Sequence, residues 1–220
     1  MEVLITDVTV MHGGNYCVAG WSADVTRIIR PLPSGHHWSE ALVAKHNIVP
    51  GSLIRVQPSV KPNCAFPHKT EDTPIDPETI QLVTVGFKNW TGAAAPPTSS
   101  TIMEGFSGNV LWNSVWDNVR QGVYVLEGKQ CASLAAIMVD RPRISLREDF
   151  GKLKAVVSDG QDQYKLTVSS RVLREAWEQG GLAAAEAALP TRAQLHVRVG
   201  LARTYQDEPT KCYMMLNGAL

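Results

Sequence analysis

The feature that most constrains this chain is an order of elements that occurs twice. In each half, three short β-type runs precede a helical stretch, and two further β-type runs follow it. The runs are brief, rich in β-branched residues, and bounded by Gly, Pro, Asn or Asp. In the first half they cover Val3 to Val10, Tyr16 to Trp21, Val25 to Arg30, Ser52 to Gln57 and Ile80 to Phe87. Ser39 to His46 has a helical rhythm and lies between the third run and the fourth. In the second half the runs are Cys131 to Arg147, Gly151 to Ser158, Tyr164 to Val168, Leu195 to Ala202 and Lys211 to Leu216. Pro142 lies inside the first of these and predicts a bulge or an edge, because it cannot donate to a ladder. Asp159-Gly160 predicts a tight hairpin turn. Ser169-Ser170 predicts the cap of a helix over Arg171 to Gln179, which Gly180-Gly181 ends.

Three strands, a helix and two strands is the order of an OB barrel, which manages its sheet edges by near closure. The expected fold class is therefore mostly β: two OB-like five-stranded β-barrels in tandem, each with a short helix, joined by a helical or loop connector. The expected boundaries are 1–92 for the first barrel, 93–129 for the linker and connector helix, and 130–220 for the second barrel. Thr91 to Ser100 has a linker composition of Gly, Ala, Pro, Thr and Ser. Val110, Leu111, Val115, Trp116 and Val119 have a spacing that predicts an amphipathic connector helix. A generic β-sandwich, or one larger β domain, is the alternative.

Two stretches carry a resemblance. Gly13-Gly14-Asn15-Tyr16-Cys17-Val18-Ala19-Gly20, followed by Arg27-Ile28-Ile29-Arg30-Pro31-Leu32, resembles the opening of the bacterial dual OB-containing domain proteins. Val197 to Arg203 and Lys211 to Gly218 resemble that family's closing strands. The resemblance implies two fused OB folds and, loosely, nucleic-acid association, and it carries over no catalytic residue. An aromatic residue expected at Ile28 is missing, which removes a stacking ring there.

Composition bounds the rest. Hydrophobic residues make up 44% of the 220, enough for packed cores. The chain holds 21 basic and 21 acidic residues, so no global basic excess favours nucleic acid. No apolar run approaches a membrane span, and the acidic N-terminal stretch is unlike a signal peptide. Cys17, Cys64, Cys131 and Cys212 are irregularly spaced, as free thiols of a cytoplasmic protein would be.

No motif assembles a catalytic centre. His12-Gly13-Gly14 resembles an esterase oxyanion loop, but no Gly-x-Ser-x-Gly elbow accompanies it. Cys64 and His68 have a zinc-compatible spacing without a defined second pair, and His36-His37 and His46 supply none. Glu71, Asp72, Asp76 and Glu78 read as a solvated acidic loop. No cofactor or metal is expected.

Local charge is more informative. Residues 141–174 carry eight basic and four acidic side chains, a local charge of +4. Lys152 and Lys154 are two apart on a strand, hence on one face, and Arg141 and Arg143 are read the same way. With Tyr164 across the hairpin and Arg171 beyond it, these are the components of a single-strand track. On the first barrel Arg27, Arg30 and an exposed loop Trp38 extend the set. The expected function is non-catalytic binding of single-stranded DNA or RNA. The alternative is a protein-interaction subunit presenting Trp112 and Trp116 to a partner. A small hydrolase using His12, Cys17 or the Cys64/His68 region ranks last.

Overall fold

The computed structural model describes residues 1–59, 65–86 and 97–220. They divide into two compact units, drawn from Met1–Cys64 with His68–Pro97 and from Ala65–Pro67 with Thr98–Leu220.

The first unit starts with three antiparallel strands, β1 (Glu2–Val10), β2 (Asn15–Ser22) and β3 (Arg27–Pro33). His12-Gly13-Gly14 is the turn between the first two, and Gly13 takes the left-handed φ of 75° that its missing Cβ permits. A two-residue strand, β4 (Trp38–Ser39), leads into α1 (Glu40–Lys45). The Ser39 hydroxyl caps this helix by accepting the Leu42 amide at 3.2 Å. Next, β5 (Leu53–Arg55) pairs with β1, and β6 (Asp72–Ile75) runs parallel to β3. Beyond β5 the chain bridges Pro58 to Ile75, with Ser59 N–H donating to the Pro74 carbonyl at 2.8 Å. These contacts close the circuit β1-β2-β3-β6-β5, with α1 between the third and fourth strands, which is the OB plan. Val3, Ile5, Val18, Ile29, Ile54 and Ile75 fill the interior.

The fifth barrel strand is thus β6 and not the run at Ile80 to Phe87. Residues Gln81–Thr84 form an exposed strand, β7, on the outer side of β5, and Phe87 lies outside the described residues. Asp72–Ile75 has the charge and the proline of a loop. All four of its residues are nevertheless buried, and the Asp72 carboxylate is neutralised by Arg30 at 2.6 Å.

The second unit holds a short helix, α2 (Ile102–Gly105), then β8 (Leu111–Trp116) and β9 (Val119–Leu126). It continues through β10 (Leu134–Asp140), β11 (Ile144–Asp149), β12 (Lys152–Ser158) and β13 (Gln163–Val168). Helix α3 (Arg171–Ala188), β14 (Gln194–Leu201) and β15 (Lys211–Ala219) complete it. β10 and β11 are the two arms of one bent first strand. Pro142 sits at the bend, in a single 3-10 turn over Arg141–Arg143, where no ladder donor is needed. β11 pairs with β12, β12 with β13, β13 in parallel with β15, β15 with β14, and β14 with β10. This circuit is again closed on the OB plan, and α3 lies between the third and fourth strands. Tyr164, Leu166, Val157, Leu195 and Leu216 fill its interior.

Three expectations are corrected here. The connector helix over 108–120 is the β8–β9 hairpin, turned at Asp117 and Asn118 with left-handed φ of 49° and 60°. β-branched and aromatic residues around a turn-forming Asp-Asn pair outweigh an apparent 3.6-residue spacing. Residues from Thr98 onward fold with the second unit, and 91–96 of the expected linker lie outside the described residues. Finally, α3 runs past Gly180-Gly181 to Ala188 with a break at Gly181, φ 69°, and the Ser170 side chain makes no capping bond. Among the described residues no helix is long and apolar enough to cross a membrane.

Candidate functional site

A groove of about 320 Å³ opens on the outer face of the second barrel, over β12 and β13. Alternation along these strands builds it. In β13, Tyr164, Leu166 and Val168 point inward and are buried, so Lys165 and Thr167 point outward into the groove. In β12, Leu153 and Ala155 are buried, and Lys152 and Lys154 point outward beside them. Lys154 is registered opposite Thr167 and donates to its hydroxyl at 2.8 Å. Three lysine ammonium groups therefore share one concavity.

A carboxylate accompanies them. Asp149, at the end of β11, accepts a hydrogen bond from Lys165 Nζ at 2.7 Å, and this bond holds the carboxyl below its ordinary pKa. The local charge remains positive. Burial, and next the charge of Lys152, hold Lys154 below the ordinary lysine pKa; Lys165 adds to that and Asp149 opposes it. Among the described residues, the Lys152 side chain has no hydrogen-bond or ion-pair partner.

Aromatic surface borders the cations. The β11–β12 turn is Phe150-Gly151, with φ of 49° and 66°. A two-residue hairpin turn of this kind ordinarily takes Asn-Gly, and a bulky side chain in the left-handed region is strained. Phe150 adopts it with its ring 97% exposed at the mouth of the groove. Strain of this sort concentrates at functional positions. Tyr213 of β15 lines another side and meets Tyr124 edge-on, ring centroids 5.9 Å apart. Its hydroxyl donates to Glu208 at 3.4 Å and accepts from the Asn113 amide at 3.4 Å.

The β8–β9 hairpin forms the remaining side. β9 enters the sheet between β13 and β15, antiparallel to β15 and parallel to β13. Gly122 takes a left-handed φ of 60°, and a Cβ there would collide with the Asn113 side chain. This kink lets Gln121 stand beside Lys165 in the groove while Val123 and Val125 return to the core.

The expected site residues are distributed differently from that prediction. Lys152 and Lys154 line the groove. Tyr164 does not: its ring is fully buried, its hydroxyl accepts from Arg120 at 3.3 Å and donates to Asp162 at 3.4 Å, and burial raises its pKa. Arg141 and Arg143 sit in the 3-10 corner and not on a strand face. Arg141 pairs with Glu186 at 3.1 Å and Arg143 with Asp140 at 3.4 Å. Arg171 opens α3 and pairs with Glu175 at 2.6 Å. In the first unit Arg27 is half-buried at the start of β3, and Arg30 is buried against Asp72. Trp38, read as an exposed loop aromatic, is fully buried, and its indole N–H donates to the Pro31 carbonyl at 2.7 Å.

Lys165, Thr167, Gln121, Phe150 and Tyr213 also line the groove and are not among the residues expected from the sequence. Strand alternation in Gln163-Tyr164-Lys165-Leu166-Thr167-Val168 carries the signal for the first two, since Tyr164 shares its face with the apolar residues. Gln121 was hidden by the helical reading of its hairpin. The acidic cluster is not a solvated loop throughout, because Glu71 and Asp72 are buried while Asp76 caps the Glu78 amide at 3.0 Å. Cys64 lies outside the described residues. Among the described residues, no three His, Cys, Asp or Glu side chains converge as metal ligands do. Burial pushes the Cys212 thiol up to about 11.

A family model described as the dual OB-containing domain matches residues 1–219. No curated protein and no solved structure matches the chain.

Proposed function

We propose that this chain, which belongs to the dual OB-containing domain family, binds single-stranded nucleic acid without chemistry through the groove of its second barrel. The observation that carries the reading is the convergence of Lys152, Lys154 and Lys165 with the exposed Phe150 ring on one concave face. Ammonium groups attract phosphates, and a ring facing solvent offers a base something to stack on whatever its identity. Backbone phosphates and flat bases occur together in a single strand, whereas a duplex hides its base faces. Thr167 and Gln121 supply neutral hydrogen-bonding groups between the cations. The zero net charge of the chain does not oppose this, since local potential and not total charge attracts the ligand.

The test is a salt series with a labelled oligothymidylate and its RNA counterpart, read by fluorescence anisotropy. Three phosphate contacts predict that log Kd rises with log salt at a slope of about 2. A Lys152→Ala/Lys154→Ala/Lys165→Ala variant should lose most of that slope and keep its melting temperature. Absence of binding by the unaltered protein at low salt would remove the reading.

A further inference from the structure

The β8–β9 hairpin is an addition to the five-strand plan, and its tip is unusual for a water-facing surface. Trp116 is 70% exposed and Val115 55% exposed, beside the Asp117-Asn118 turn. An indole exposed to this extent on a well-paired hairpin offers a flat ring on which a base can stack.

The pairing register places Trp116 on a particular face. Lys165 and Gln163 of β13 stand beside Gln121 and Val119 of β9, and these stand opposite Ser114 and Trp116 of β8. Directly paired residues project to the same side of a sheet. The left-handed Gly122 kink lies beyond this stretch, so it does not reverse the direction between Gln121 and Val119. Trp116 therefore belongs to the face that carries Lys165 and Gln121, which is the face of the groove. Two strand spacings and two residue rises put its Cα about 12 Å from that of Lys165. That reach is within the roughly 4–16 nucleotides such a barrel can engage.

We propose that the bound strand continues from the groove onto this hairpin, where Trp116 stacks on a further base. The proposal rests on the nucleic-acid reading of the groove and adds a second contact point to it. The hairpin would lengthen the binding face of the barrel, and the protein would select strands long enough to reach from the lysines to the indole. Val115 is registered with Arg120, whose guanidinium lies 3.8 Å from the Trp112 ring centroid and pairs with Asp162 at 2.7 Å. These contacts fix β9 close to the hairpin turn, where Trp116 is exposed.

The experiment compares two probes: a labelled oligothymidylate of about ten nucleotides, and an unlabelled thymidine dinucleotide competing for the groove. Trp116→Ala should weaken the longer probe roughly fivefold or more, leave the dinucleotide unchanged, and leave the melting temperature unchanged. Trp116→Phe should recover most of the loss, because a ring is retained. Equal affinity of Trp116→Ala and the unaltered protein for the longer probe, while the lysine variant still loses binding, overturns the proposal and spares the groove. Equal losses for both probes overturn it too, since they indicate a structural role. Loss of a protein partner on Trp116→Ala with oligonucleotide affinity intact would assign the hairpin to protein docking instead. Failure of the unaltered protein to bind either probe would sink the groove reading, and this proposal with it.

Discussion

The two barrels share one topology, and their third strands treat a cation in opposite ways. In the first, Arg30 on the third strand is buried and bonded to Asp72 on the neighbouring fifth strand. In the second, Lys165 on the third strand is only part-buried and shares an open groove with two more lysines. The third strand thus carries a structural tie in one unit and a groove-lining cation in the other. Topology supplies a surface, and burial and pairing decide what that surface does.

Removing the structural tie gives the largest expected effect. Arg30→Ala removes the ion pair made by the buried Asp72 carboxylate, which costs about 3–5 kcal/mol. For a unit of this size the melting transition should drop by roughly 10 °C or more. Burial opposes the charge on Arg30, but the Cys17, Asp72 and Glu71 side chains outweigh it and raise its pKa, so it stays charged throughout the usable pH range. Thermal melts followed by circular dichroism check this, with oligonucleotide binding measured below the transition. A melt that does not move would mean the pair contributes no structure, and the contrast between the barrels would fail.

A smaller effect comes from Asp149, a carboxylate that lines the groove. Asp149 repels phosphates and holds Lys165 at 2.7 Å. Asp149→Asn should tighten oligonucleotide binding about two- to fivefold, the scale of a single partly exposed charge. Titration at fixed salt measures it. Weaker binding would show that Asp149 serves mainly to aim Lys165, and the groove would then need its anion as well as its cations.

The topology beneath this contrast was legible in the sequence, and the contrast itself only in part. The strand-helix-strand order was visible twice because β-branched runs between turn residues report local preference. Lys152 and Lys154 were legible because alternation places residues two apart on one face. The role of Arg30 was not, because pairing with Asp72 joins strands 42 residues apart and no local pattern records it. Trp38 was misread for the same reason, since its burial depends on a barrel interior closed by distant strands. The β8–β9 hairpin was misread because five apolar residues fit a helical period as well as a hairpin. The Asp117-Asn118 turn, with the β-branched and aromatic residues around it, distinguishes the two.

The smallest expected effect separates the barrels most finely. Lys154 sits below the ordinary lysine value of 10.5, mainly through burial and the charge of Lys152. Its protonated form is therefore less favourable in the folded protein than in the unfolded chain. That cost is fully present at neutral pH and is relieved as pH rises through the lowered pKa towards 10.5. Arg30 behaves oppositely, since its charge is favoured by folding. Lys154→Gln should therefore hold or slightly raise the melting temperature at neutral pH while weakening oligonucleotide binding. In the unaltered protein a nearby phosphate restores the charge on Lys154, so affinity should decline with rising pH before ordinary lysines deprotonate. The variant should show no such early decline. Superimposable pH profiles for the two proteins would mean that Lys154 does not meet a phosphate, and would leave Lys152 and Lys165 as the cations of the groove.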